Sequence, residues 1–263
     1  MGLELGLDAL RSAVVLGAAG VAAGLLGPTW MARIPEPAAD PATDPAESID
    51  LARPAPTEPT ASADREPEVP KELYRDIAVL PGLRVGLALV TGAVAAVVGA
   101  RIGWGGALLP WAFLLAVAVP LAVVDWRTRL LPTYVIAPSY GVLVLLTLAA
   151  AAVDRDAHAL LGALLGWVAL GGFYVLIWVV YPRGMGYGDV RLSGLLGIAL
   201  GYLGWPEVLT GGYAGLLLGS LLGFALARAG LVDRRHVPFG PFMVLGAAVG
   251  AVFGPLLAHS LGY

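Results

Sequence analysis

Two aspartates carry the chemistry that this sequence supports best. Asp125 and Asp189 each stand at the edge of a long apolar run, and an ionisable side chain at membrane depth is costly enough to mark function by default. Two carboxylates at matching depth form a natural pair. Brought within a few ångströms they do not both ionise easily, so one keeps a proton while the other stays charged. That asymmetry suits attack of water on an amide: the ionised member takes a proton from the water and the protonated member polarises the carbonyl. The pair titrates as a unit, so the sequence does not divide these parts between Asp125 and Asp189. Ion pairs with Arg127 and Arg191, each two positions on, are the competing structural reading, and a proton or cation pathway is a third. Residues two apart on a helix do not face each other, which weakens the ion pairs within one helix but leaves them open between helices.

The approach to Asp189 adds a second signal. Gly184, Gly186 and Gly188 alternate in Gly184-Met185-Gly186-Tyr187-Gly188-Asp189, and a backbone without side chains tolerates unusual dihedrals and lets an extended peptide come close. These glycines and Arg191 are candidate substrate-binding residues. A phosphate-binding loop is disfavoured, because no Gly-Lys-Ser/Thr follows and an aspartate would repel the anion.

Composition isolates the two aspartates. The chain has 263 residues, 58% hydrophobic and 13% charged, where a soluble domain carries about 25% charged residues. Of 19 acidic residues, 13 precede residue 77. The absence of cysteine excludes disulfides, cysteine nucleophiles and cysteine-ligated zinc. The 3 histidines share no i,i+4 spacing, so neither a metal nor another cofactor is expected. No basic patch points to nucleic acid.

The elements that must position the pair are apolar runs long enough to cross a bilayer, which needs roughly 20 residues in a helix. Eight stand out: 5–27, 83–100, 105–124, 133–152, 159–181, 190–204, 208–227 and 239–258. The expected fold is therefore all-α, a polytopic bundle of about eight transmembrane helices. Its parts are an N-terminal anchor (1–27), a proline-rich acidic loop expected to be disordered (28–82), and a seven-helix body (83–263). The loop holds 11 of the chain's 20 prolines and too little apolar surface to offset its chain entropy.

With the N-terminus outside, 13 of the 16 lysines and arginines fall in inward loops, as the positive-inside rule requires. That assignment puts Asp125 and Asp189 in the same, cytoplasmic leaflet and makes Asp154, Asp156 and Glu207 solvated charges of outward loops. Trp104, Trp111, Trp126 and Trp205 are expected as interfacial anchors. Gly211, Gly215, Gly219 and Gly223, and again Gly246, Gly250 and Gly254, repeat every four residues, a spacing for close helix packing.

Three stretches resemble the prepilin peptidases, membrane aspartic proteases of bacteria. They are Asp125-Trp126-Arg127-Thr128-Arg129-Leu130-Leu131-Pro132, then Gly184-Met185-Gly186-Tyr187-Gly188-Asp189-Val190-Arg191-Leu192, and last Val237-Pro238-Phe239-Gly240-Pro241-Phe242. The resemblance covers about residues 83–258. It implies a GxGD-type aspartic protease architecture with Asp125 and Asp189 as the catalytic pair. The implied reaction cuts a short, basic leader from a type IV prepilin or pseudopilin, typically after a glycine, at the cytoplasmic face of the inner membrane. Precursor and membrane lipid are the implied partners; the glycine stripes leave the oligomeric state open. Many relatives carry paired, zinc-binding cysteines after the first span, linked to N-methylation of the product; without cysteine neither zinc nor that second activity is expected here. The Gly-x-Gly-Asp core also resembles presenilin-like intramembrane proteases, whose Pro-Ala-Leu motif is missing.

Overall fold

A computed structural model describes residues 2–36, 72–181, 185–230 and 238–260. Gly184, His236 and the middle of the proline-rich segment lie outside the described residues. Among the described residues every regular element is helical. In chain order these are α1 (Gly2–Met31), α2 (Tyr74–Ala78), α3 (Leu83–Ile102), α4 (Leu108–Thr128), α5 (Thr133–Asp154), α6 (Ala157–Gly166), α7 (Gly172–Val180), α8 (Tyr187–Leu203), α9 (Trp205–Arg228) and α10 (Gly240–Ser260). A π-helical turn at Trp167–Gly171 joins α6 and α7 into one rod.

Seven of these rods are long and apolar enough to cross a membrane. The eighth expected span, 190–204, corresponds to α8, which begins at Tyr187 and has only 17 residues. At 1.5 Å per residue that is about 25 Å, short of a hydrocarbon core of about 30 Å. Thirteen of its residues are buried, because α8 runs through the middle of the bundle against α4, α5, α6, α9 and α10. Surrounded by protein instead of lipid, it accommodates an aspartate, a serine and several glycines. The lipid-facing rods differ: Val14, Leu145, Leu176 and Phe224 are all exposed, as a bilayer solvent demands.

Backbones meet through glycine in three antiparallel pairs. On α1 and α3, a Cβ at Gly20 would lie 2.7 Å from the Thr91 carbonyl oxygen, and one at Gly99 2.6 Å from that of Ser12. On α9 and α10, Gly211 faces Gly246 and Gly250, and Gly215 faces Gly246, so part of each expected stripe forms one interface. A third seam sets Gly162 and Gly166 of α6 against Gly201 and Gly197 of α8. Close approach of this kind replaces the hydrophobic drive that lipid cannot supply.

Several expectations are corrected at the helix ends. The segment taken as disordered is ordered at both margins: α1 continues to Met31, and α2 buries Tyr74 and Ile77. Glu36 accepts hydrogen bonds from the Tyr74 and Arg75 amides at 3.0 and 3.1 Å, capping α2. Burial, and then the Glu36 charge, push the Tyr74 phenol up.

At the opposite end Asp154 is not simply solvated. It accepts from the Gly106 amide at 2.7 Å and the Tyr202 hydroxyl at 2.8 Å, joining α5 to the starts and ends of its neighbours. Asp156 caps α6 through the amides of His158 and Ala159. Glu207 is only 8% exposed, held under Gly204 and Gly254. Trp111 is fully buried, so it is a core residue; Trp104, Trp126 and Trp205 are exposed.

The α6–α8 seam has a direct test. In Gly197→Val the new side chain meets the Gly166 backbone, which cannot rotate away. Thermal unfolding in detergent should show a loss near the upper end of the roughly 1–3 kcal/mol that overpacking costs, with Ala122→Val, at a half-buried position on α4, as a milder comparison.

Candidate active site

Both aspartates lie at the end of the bundle that holds α2 and the α4–α5 turn. Asp125 sits in the last turn of α4, 4% exposed. The helix stops four residues later, where Arg129 takes a left-handed conformation (φ 57°) and its amide closes on the Asp125 carbonyl. Thr128 steadies the turn by bonding the Val124 carbonyl and the Leu130 amide. Pro132 then stands before the first residue of α5.

The Asp125 side chain reaches across to α10. Its Oδ2 accepts the Gly240 amide at 2.9 Å. Gly240 is the first residue of α10, so the carboxylate meets one of the free amides and the positive end of a helix dipole. No larger residue fits: a Cβ on Gly240 would stand 2.7 Å from that oxygen. Phe239, packed on Gly219 of α9, anchors the approach to this amide.

Asp189 is the third residue of α8 and is 7% exposed. Its Oδ2 accepts the Gly186 amide at 3.2 Å, while its own amide donates to the Gly186 carbonyl at 3.0 Å. Asp189 Oδ1 is buried with no hydrogen-bond partner. The two aspartates are within electrostatic reach of each other, with α4 packed on α8.

Neither arginine pairs with an aspartate. Arg127 forms a two-pronged contact with Glu72, both bonds 2.7 Å, which ties the segment before α2 to α4. Arg191 lies 4.4 Å from the Tyr187 ring centre and donates to Thr133 Oγ1. No ion pair among the described residues involves Asp125 or Asp189. Gly188 has a packing duty: a Cβ there would fall 2.7 Å from Leu131 Cβ, so the bare backbone lets the α4–α5 turn close on α8.

Two contributors escaped the sequence reading. The Gly240 amide belongs to a motif that was noticed, but a backbone donor leaves no side-chain signature. Tyr174, 1% exposed and within electrostatic reach of Asp189, belongs to no motif. An apolar groove of about 300 Å³ opens beside Asp125, between α3, α4 and α10, and is lined by Val90, Val123, Trp126, Pro241 and Val244. At its mouth Trp126 and Phe242 meet edge to face, 6.4 Å between ring centres.

The profile of the type IV leader peptidase family matches residues 112–254, more than half of the chain and every described residue of the site except Glu72. The chain belongs to the type IV leader peptidase family. Individual members agree. It is similar to a prepilin leader peptidase/N-methyltransferase of Aeromonas hydrophila, 31% identical over 58% of this chain and 51% of that one. A Burkholderia pseudomallei (strain K96243) protein of the same description is 30% identical over 63% and 53%, and one from Escherichia coli (strain K12) is 30% identical over 55% and 61%. The chain thus spans about half the length of the first of these relatives. No solved structure matches it. The leader peptidase match covers α4 to α10 and leaves α1 to α3 outside.

The Gly240 contact predicts its own sensitivity. Gly240→Ala should displace Asp125 from the α10 amide and cost about 1–3 kcal/mol, the penalty of an unmade buried hydrogen bond, read by thermal unfolding. Ala248→Ser, farther along the same helix, should change stability less.

Proposed function

We propose that this chain is an aspartic endopeptidase that removes the leader of a type IV prepilin-like or pseudopilin precursor, with Asp125 and Asp189 as its catalytic pair. The observation that carries the reading is that two buried carboxylates come together at one end of the bundle, each held by one helix-terminal amide and neither neutralised by arginine. The positive-inside charge pattern supports cleavage at the cytoplasmic face of a bacterial inner membrane.

The chemistry follows from the pairing. Two neighbouring carboxyl groups share one proton at neutral pH. The charged member removes a proton from a water molecule, which adds to the scissile carbonyl carbon. The protonated member donates to the carbonyl oxygen, and collapse of the tetrahedral intermediate expels the amine, which is protonated as it leaves. The amides of Gly240 and Gly186 each fix one carboxylate oxygen, leaving the other edge of each group for water and substrate.

The groove beside Asp125 suits the apolar segment that follows a leader peptide, since its lining is aliphatic with one tryptophan and one proline. Gly186 leaves the backbone edge ahead of Asp189 open to an extended peptide. Arg191 supplies a fixed cation at the same end. N-methylation, named in the relatives' descriptions, is no part of this proposal: the sequence has no cysteine to hold a zinc ion in the manner of cysteine-ligated sites.

Membranes containing the protein should shorten a synthetic prepilin-like precursor, seen as a mobility shift on a gel. Asp125→Asn and Asp189→Asn should each lower the rate by at least about a hundredfold to ten-thousandfold, the usual contribution of acid–base catalysis, while the protein still inserts. Full cleavage by either variant would sink the assignment, and ion-coupled flux without any product would favour transport.

A further inference from the structure

Tyr174 is the largest polar side chain near the pair that the proposed mechanism leaves idle. It is 1% exposed and lies on α7, directly after the π-helical turn. Gly162 and Gly166 press α6 on α8, and a Cβ on Gly171 would stand 3.6 Å from Gly194 Cα, so the contact row continues through the turn. A row of i,i+4 steps on a regular α-helix drifts sideways by about 40° per step at 3.6 residues per turn. The wider π turn takes up that drift, and the row runs on to Tyr174, which faces the bundle interior.

Its hydroxyl can be located from its neighbours. A Cβ on Gly215 would lie 3.8 Å from the Tyr174 hydroxyl oxygen, 3.5 Å from the Phe242 carbonyl oxygen and 3.4 Å from Met243 Cα. The hydroxyl therefore sits beside the first turn of α10, whose opening amide holds Asp125. Electrostatically, Asp189 responds to Asp125, and Tyr174 to Asp189. The tyrosine hydroxyls of Tyr140 and Tyr202 donate to the Arg191 carbonyl and to Asp154; among the described residues that of Tyr174 makes no such bond. Opposite it, Asp189 Oδ1 is buried without a partner, a costly condition for a carboxylate.

We propose that Tyr174 is a positioning residue for Asp189, its hydroxyl donating to Asp189 Oδ1 when substrate closes the site, while the Gly186 amide holds Oδ2. Hydrogen bonds of this kind are commonly long in an unliganded enzyme and tighten in the complex. With both oxygens held, the carboxyl plane is fixed relative to Asp125. The inference rests on the reading of Asp189 as one of the catalytic pair.

The test uses the full chain in detergent with the synthetic precursor. Tyr174→Phe keeps the ring and removes only the hydroxyl. Losing a hydrogen bond to a charged group should lower kcat by about tenfold to a hundredfold, with KM within about twofold. A phenol donor favours the charged carboxylate, so without it the acidic limb of the kcat–pH profile should move to higher pH, by about half a unit or more. Phe173→Leu, at an exposed neighbour, should leave both unchanged. A wild-type kcat and pH profile in Tyr174→Phe would overturn the proposal. So would a lower kcat with an unmoved profile and a lower melting temperature, which would mean packing alone. Asp125→Asn and Asp189→Asn run beside it: retained cleavage in either breaks the reading of the pair, whereas their inactivity with an unaltered Tyr174→Phe breaks only the tyrosine inference.

Discussion

Two carboxylates held by two helix-terminal amides are the constraint around which the bundle is arranged. A pair of buried acids repels itself and loses hydration, and both costs rise as the pair moves out of water. The start of α10 receives Asp125 and the start of α8 receives Asp189, so each acid meets the positive end of a helix dipole in place of a basic side chain. That solution leaves the acids free of tight ionic partners. It also demands that two helices begin at the same depth, which the Pro238-Phe239-Gly240 and Gly186-Tyr187-Gly188 segments arrange.

The rest of the inward face serves this arrangement. Arg127, a neighbour of Asp125 in sequence, is engaged by Glu72, and Arg191, a neighbour of Asp189, by Thr133 and the Tyr187 ring. Exposed ion pairs such as Arg127–Glu72 add little stability. Their value here is that they keep cations from collapsing onto the acids while tethering α2 to α4.

The architecture was legible where the solvent is lipid, because an apolar run and a four-residue glycine repeat report directly on span and packing. It was less legible where protein is the solvent. α8 breaks the length rule since its neighbours satisfy it, and Trp111 and Glu207 are buried by helices distant in sequence. Asp125 and Asp189 stood out through scarcity of other acids. Gly240 did not stand out as a donor, and Tyr174 did not stand out at all, since a backbone amide and a phenol on a lipid-spanning rod become informative only when tertiary contacts bring them to the acids.

The glycine seams carry a mechanical consequence. Helices in backbone contact slide or tilt only together, so α6 with α8 and α9 with α10 behave as two stiff girders, and α4 stands between them. Asp189 rides on the first girder, the amide that holds Asp125 rides on the second, and Asp125 itself belongs to neither. A small shear between girders therefore alters the spacing of the two acids without breaking any seam. The site is a joint, and its geometry can be tuned by whatever lodges between the rods.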